Sequence, residues 1–243
     1  MSIVPLGIEL QDATVLVVGG GSVGARKTRR FVRAGATVVV LSPEFAEAAV
    51  GDAADEAGEI AGTADAGDAE AGTVERVRVA PSDDVAEAAA WLDRVDPLLV
   101  VCATNDEGVN EAFAAAARDA GVLRNRADVA ESEDAGSVVV PATVEDDPVV
   151  VSVSTGGRSP ALSKYLREQL EDDLAGAGAM AVLTGEIRAD LKNRGVAPEV
   201  RREAVRTVVR DRGVWKALRT GNTNARQAAE TVVTSVVGEQ GST

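Results

Sequence analysis

Apolar residues fall along the chain in two regimes. As far as Asn125 they mark short strand-like segments at 13–18, 36–41, 74–80, 98–103 and 122–125. The run at 13–18, nearly continuous and β-branched, suits a strand buried on both faces of a parallel sheet. Between them lie segments of helical spacing: 25–34, stopped by Gly35; 84–93, with Trp91 inward; and 107–119, rich in Ala with Val109 and Phe113 inward. Alternating strands and helices predict an α/β fold, a doubly wound parallel sheet.

The rhythm changes at Ser137. Residues 137–142 and 148–154 read as two strands joined by the turn residues Glu145, Asp146 and Asp147, which predicts an antiparallel hairpin. A helix then begins with Ser159 as N-cap and Pro160 at its first position, and Leu162, Tyr165, Leu166, Leu170 and Leu174 share one of its faces. Helices at 183–194, 198–210 and 223–237 follow without any strand pattern. The expected organisation is a sheet domain over 1–136, a hairpin arm over 137–157 and a helical domain with tail over 158–243. Within the first, residues 51–73 carry seven acids, no base and one large apolar side chain, Ile60, so an acidic loop or weak helix is expected there.

Charge and composition narrow the chemistry. Lys and Arg total 25 against 39 Asp and Glu, a net charge of −14, which would repel a nucleic-acid duplex. There is no histidine and one cysteine, Cys102, which removes disulfide frameworks, zinc sites and imidazole catalysis. No metal-ligating set is expected, and Cys102 reads as core. No apolar run reaches the roughly 18–20 residues of a membrane span, and residues 1–10 lack the basic start of a secretion signal, so a cytoplasmic protein is expected. The 21 Arg against 4 Lys, with the acidic surplus, suggest a halophile. At molar salt the Debye length is about 3 Å, which screens the surface acids from one another.

The segment Gly19-x-Gly21-x-x-Gly24 follows the first strand and opens the first helix, the context of a dinucleotide-binding turn. Phosphates would sit at the helix N-terminus beside Ser22 and Val23. The second strand ends Leu41-Ser42-Pro43-Glu44, with Ser42 where an acidic ribose ligand commonly stands and Glu44 two residues late. Ser42 tolerates a 2′-phosphate and Glu44 repels one, so NAD is favoured over NADP. Thr104 and Asn105 follow a strand end on the cofactor side, and Asp106 reads as the cap of the next helix.

Four segments together resemble a known family: Gly19-Gly-Gly-Ser-Val-Gly-Ala-Arg-Lys27, Ala103-Thr-Asn-Asp106 with Asn110, Asn125-x-x-Asp128, and Ser154-Thr-Gly-Gly-Arg-Ser-Pro160. They are similar in order and spacing to the dehydrogenase module of siroheme synthases, the precorrin-2 dehydrogenase family. The resemblance implies a Rossmann-type domain binding NAD through Gly19, Gly21, Ser22, Val23, Gly24, Ser42, Pro43, Thr104 and Asn105. It also implies a hairpin dimerisation arm and a helical domain covering the substrate. The implied reaction is NAD-dependent oxidation of precorrin-2 to sirohydrochlorin by a homodimer, with iron insertion a further activity of some members and the methyl transfers made elsewhere. Asp128 matches the family's catalytic aspartate, and a carboxylate is a sensible proton acceptor where histidine is absent; its bland alternative is a turn or cap residue. Ser154, Thr155, Gly156 and Gly157 are implied to bend near the substrate. Arg158, Lys164 and Arg167 are either cations for its carboxylates or a solvated helix face. Competing readings are a non-catalytic NAD-sensing module and a chelatase without redox function.

Overall fold

The structure, a computed structural model, describes residues 4–46, 72–129, 134–220 and 224–240. Apart from Gly72 and Thr73, the acidic segment 51–73 lies outside the described residues. The chain divides into two compact units, Met1–Val140 with Gly156–Arg158, and Pro141–Thr155 with Ser159–Thr243.

The first unit is built on β1 (Thr14–Val18), β2 (Thr37–Ser42), β3 (Val74–Arg78), β4 (Leu99–Cys102) and β5 (Leu123–Arg126), all parallel in the order β3-β2-β1-β4-β5. Helices α1 (Ser22–Arg33), α2 (Val85–Val95) and α3 (Glu107–Asp119) make the crossovers. The runs of β1, β2 and β4 are buried on both faces, as their lack of alternation predicts, whereas β3, with Glu75, Arg76 and Arg78 among its five residues, has none buried. Leu16, Val18, Val100 and Cys102 pack under α2 and α3 with Phe113, while Val15, Val17, Val38 and Val101 pack against Phe31 of α1. The order in which successive strands are added reverses between the parallel neighbours β1 and β4, and the crevice beyond their carboxyl ends is where such sheets bind ligands.

The hairpin differs from expectation at its start. Residues 137–140 do not enter it. Val138 N donates to Arg124 O at 2.8 Å and Arg124 N to Gly136 O at 3.0 Å, so this stretch lies along the open edge of β5. Val138 and Val140 pack against the cluster containing Val15 and Phe31. The apolar run was a strand signal, but β5 offered an unpaired edge beside a waiting core. Pro141, lacking an N–H, separates it from the hairpin proper, β6 (Ala142–Asp146) with β7 (Val149–Val153).

In the second unit the hairpin is followed by α4 (Pro160–Leu174), α5 (Ala177–Asn193), α6 (Pro198–Arg210), α7 (Arg212–Arg219) and α8 (Ala225–Gln240). Ser159 caps α4, accepting from Leu162 N at 3.3 Å, with Pro160 in the first turn as expected. Met180, Leu183, Ile187, Leu191, Val208, Val214 and Val233 form the core of this unit. Helix α6 ends at Arg210 as expected, α7 beyond it was not anticipated, and the two are separated by a sharp break. Asp211 makes it, its side chain accepting from Gly213 N at 2.8 Å and Val214 N at 2.9 Å. The shared apolar face of α4 is present but uncovered: no α4 residue is buried, and Leu162, Tyr165 and Leu166 are exposed. Among the described residues no helix is long and apolar enough to cross a membrane.

Candidate active site

The glycine turn joins β1 to α1 with little room to spare. Gly19 has φ +112°, a conformation L side chains rarely adopt, and a Cβ there would stand 2.6 Å from Ala103 O at the end of β4. A Cβ on Gly24 would fall 1.9 Å from Gly19 O, so only glycine lets the helix approach the strand this closely. Gly21 is the opposite case: nothing lies within 4 Å of its Cβ position. The first turn of α1 contains no acidic residue. An open cradle at a helix N-terminus, next to tightly packed glycines, fits a dinucleotide pyrophosphate.

The loop after β2 folds back over Gly20. Ala46 N donates to Gly20 O at 2.9 Å, and the buried Ser42 donates its hydroxyl to Glu44 O at 2.6 Å. Ser42 therefore holds the loop with its hydrogen and keeps only acceptor capacity for a ribose. Arg78 donates to Pro43 O at 3.3 Å, and the guanidinium groups of Arg76 and Arg78 lie 5.4 and 5.8 Å from the Phe45 ring centroid. These two cations beside the β2 end escaped the sequence reading.

After β4, Thr104 is locked to Asn110 of α3. Thr104 N donates to Asn110 Oδ1 at 3.1 Å, and Asn110 Nδ2 donates to Thr104 O at 3.0 Å. Asp106 caps α3, accepting from Val109 N at 3.2 Å, while Asn105 is exposed at the bend between them. Asn110 is 1% exposed, so its role is to fix the loop after β4 from within.

Asp128 follows β5. Arg126 grips it by two hydrogen bonds, Nε to Oδ1 at 3.1 Å and Nη2 to Oδ2 at 2.7 Å, and also pairs with Glu111 of α3. The Arg126 hydrogen bond holds the Asp128 carboxyl below the usual carboxylate range, with burial opposing it and a hydrogen bond from Asn110 adding to it. Thr104, Asn110, Asp128, Arg126 and Glu111 thus form one connected polar group. The neighbouring Cys102 thiol is pushed up to about 12 by burial, which makes it inert core.

One residue back along β5, Asn125 Oδ1 accepts from Lys27 Nζ of α1 at 2.7 Å, and Asn125 Nδ2 donates to Val138 O at 2.8 Å. Burial lowers Lys27 to about 8, and Arg26 and Arg30 push it the same way. Sequence reasoning assigned no role to Lys27, Asn110, Glu111 or Arg126. For Arg126 a signal existed: it stands two residues before Asp128, the spacing that puts side chains on one side of extended chain.

The bend after β7 contains two glycines in the left-handed region. Gly156 and Gly157 have φ +61° and +75°. Thr155 Oγ1 accepts from Ser159 N at 3.2 Å and lies 3.0 Å from Ser163 Oγ, tying Thr155 to the start of α4. Arg158 is exposed. Lys164 lies 3.9 Å from Glu168, and Arg167 pairs with Glu171 at 2.7 Å. A broad depression of about 530 Å³ in the second unit, lined by Arg212, Trp215, Lys216, Arg219 and Thr220, includes none of the expected residues.

An NAD(P)-binding family matches residues 6–142, more than half of the chain, and the family described as sirohaem biosynthesis protein central matches 146–173. A siroheme synthase of Tolumonas auensis is 34% identical over 199 residues, 80% of this chain and 36% of that protein. Siroheme synthase 1 of Aeromonas salmonicida is 30% identical over 243 residues, 99% of this chain and 46% of that one. The chain therefore spans less than half the length of these relatives. A precorrin-2 dehydrogenase of Methanosarcina barkeri is 29% identical over 234 residues, covering 95% of this chain and 93% of that protein. The solved structure of SirC, precorrin-2 dehydrogenase, superposes with a TM-score of 0.62 at 18% identity, covering 96% of this chain and all of that one, a likeness of fold. With both matched segments in the order and positions its motifs lead one to expect, the chain belongs to the NAD(P)-binding family of sirohaem biosynthesis proteins, the family of siroheme synthases and precorrin-2 dehydrogenases.

Proposed function

We propose that this protein oxidises precorrin-2 to sirohydrochlorin with NAD as the acceptor. The observation that carries the reading is Asp128, a carboxylate fixed at the end of β5 and linked through Asn110 to the loop after β4. The open cradle at Gly21 and the donor-rich start of α1 would hold the pyrophosphate; Ser22 and Val23 lie in that first turn, and Thr104 and Asn105 border the same crevice. NAD, when bound there, supplies the hydride acceptor. The oxidation removes a hydride and a proton, and the proton passes to the Asp128 carboxylate, the general base. Arg126 keeps that carboxylate ionised and aimed, at some cost to its basicity.

The substrate is polyanionic and the chain is acidic, so local cations must offset repulsion. Arg158, Lys164 and Arg167, together with the small residues Ser154, Thr155, Gly156 and Gly157, are our candidates to meet it. We further infer a homodimer: the two-stranded hairpin leaves edges unpaired, and Leu162, Tyr165 and Leu166 lie uncovered on α4. A cytoplasmic site of action follows from the reading.

Anaerobic incubation of the protein with precorrin-2 and either NAD or NADP tests it. Reduced NAD and sirohydrochlorin should appear in equal amounts, faster than with NADP. Tetrapyrrole left unoxidised by either cofactor would refute the proposal.

A further inference from the structure

The guanidinium of Arg126 is divided between two carboxylates of very different exposure. Its Nε and Nη2 edge carries Asp128, and Nη1 carries Glu111. The side chains of Arg126 and Asp128 are 13% and 25% exposed, that of Glu111 59%. Asp128 has a second fixed partner in Asn110, whereas Glu111 has, among the described residues, only Arg126. The other charged group nearby, Arg124, is turned away onto Ala135 O and Asp134.

A planar guanidinium presents separate hydrogen-bonding edges, so one edge can keep its carboxylate while the other exchanges. Replacing Glu111 by another carboxylate preserves the charge pairing and the hydrogen bond on Nη1. Glu111 is the partner that solvent reaches and that nothing else retains. The geometry points to Arg126 as the anchor for a peripheral carboxylate of the tetrapyrrole, with Glu111 as an internal placeholder that this carboxylate displaces. One side chain then grips the substrate with one edge and holds Asp128 with the other, registering the macrocycle against its base. The inference rests on the proposed dehydrogenase reading and adds a binding residue that the family motifs do not contain.

The test is the affinity of wild type, Arg126→Leu, Arg126→Lys and Glu111→Gln for sirohydrochlorin and, separately, for NAD, at one fixed high salt concentration. Arg126→Leu should weaken sirohydrochlorin binding by about tenfold to a hundredfold, the worth of a lost charge-assisted hydrogen bond. Arg126→Lys should recover part of the loss. Glu111→Gln should tighten binding, because the competitor is gone. NAD affinity should stay unchanged in all three. A triad that merely braces the fold would not make Glu111→Gln bind more tightly, so unchanged or weaker binding in that variant overturns the anchor, even if Arg126→Leu fails to fold. Wild type that binds sirohydrochlorin with the expected variant pattern but leaves precorrin-2 unoxidised would keep the anchor and defeat the dehydrogenase reading. Wild type that oxidises precorrin-2, with Arg126→Leu unchanged in KM, would do the reverse. No binding of sirohydrochlorin to wild type would overturn both.

Discussion

The end of β5 and the start of α4 carry the two most family-like segments of this chain, and they are held in opposite ways. Asp128 follows β5, and its partners Arg126 and Asn110 stand on β5 itself and on α3, elements of a sheet layer whose central strands are sealed on both faces. The α4 helix has no buried residue, and its Lys164 and Arg167 pair with acids of the same helix. One region is fixed by burial within a single chain. The other is shaped locally and leaves an apolar face to be covered. Groups needing fixed geometry, such as a base beside a cofactor, belong on the first kind of support.

That contrast can be broken by substitution. Phe113 is 1% exposed under the sheet, so Phe113→Ala should lower unfolding free energy by about 3–5 kcal/mol in denaturant titration. A loss near zero would mean that the core of the first unit does not hold the site. Gly21→Val places a branched side chain in the open cradle while leaving the fold alone. NAD affinity should fall by roughly tenfold to a hundredfold, the equivalent of about 1–3 kcal/mol of steric misfit, with thermal stability near wild type. Leu166→Ala on exposed α4 should change single-chain stability by only about 0.5 kcal/mol, yet with Leu162→Ala it should shift a monomer–dimer equilibrium in sedimentation toward monomer. An unchanged sedimentation profile would separate that face from assembly.

A further expected effect is a pH slope. Burial holds Lys27 near 8 against an ordinary 10.5, so between those values the unfolded chain binds a proton that the folded chain does not. The Lys27 contribution to stability therefore rises with pH across that window. Lys27→Met should remove this rise when melting temperatures are compared across it. An identical pH dependence in both proteins would contradict the burial argument.

The parallel sheet was legible because continuous β-branched runs such as 36–41 and glycine spacing are direct consequences of two-sided burial and a tight turn. The α3 bounds and the Asp106 and Ser159 caps were legible for the same local reason. Residues 137–140 misled, since an apolar run announces a strand but not its partner, and β5 was the nearer edge. Helix α7, eight residues long with only Val214 buried, was missed because so short a segment shows little apolar periodicity. In the candidate site, motifs pointed to Asp128 and the glycines. They could not find Glu111, which reaches Arg126 from another element 15 residues away, or the Lys27–Asn125 pair, separated by 98 residues. Such pairings are properties of the folded sheet, invisible to spacing along the chain.

The central claim is that Asp128 takes the proton when precorrin-2 is oxidised. Single-turnover oxidation by Asp128→Asn, with NAD affinity measured on the same preparation, addresses it most directly. The account predicts wild-type NAD binding and a rate reduced by about 10²- to 10⁴-fold. It also predicts that the wild-type rate persists, as pH is lowered, to below the usual carboxylate range, because Arg126 keeps Asp128 ionised there. A variant that binds NAD normally and turns over at near wild-type rate would contradict it.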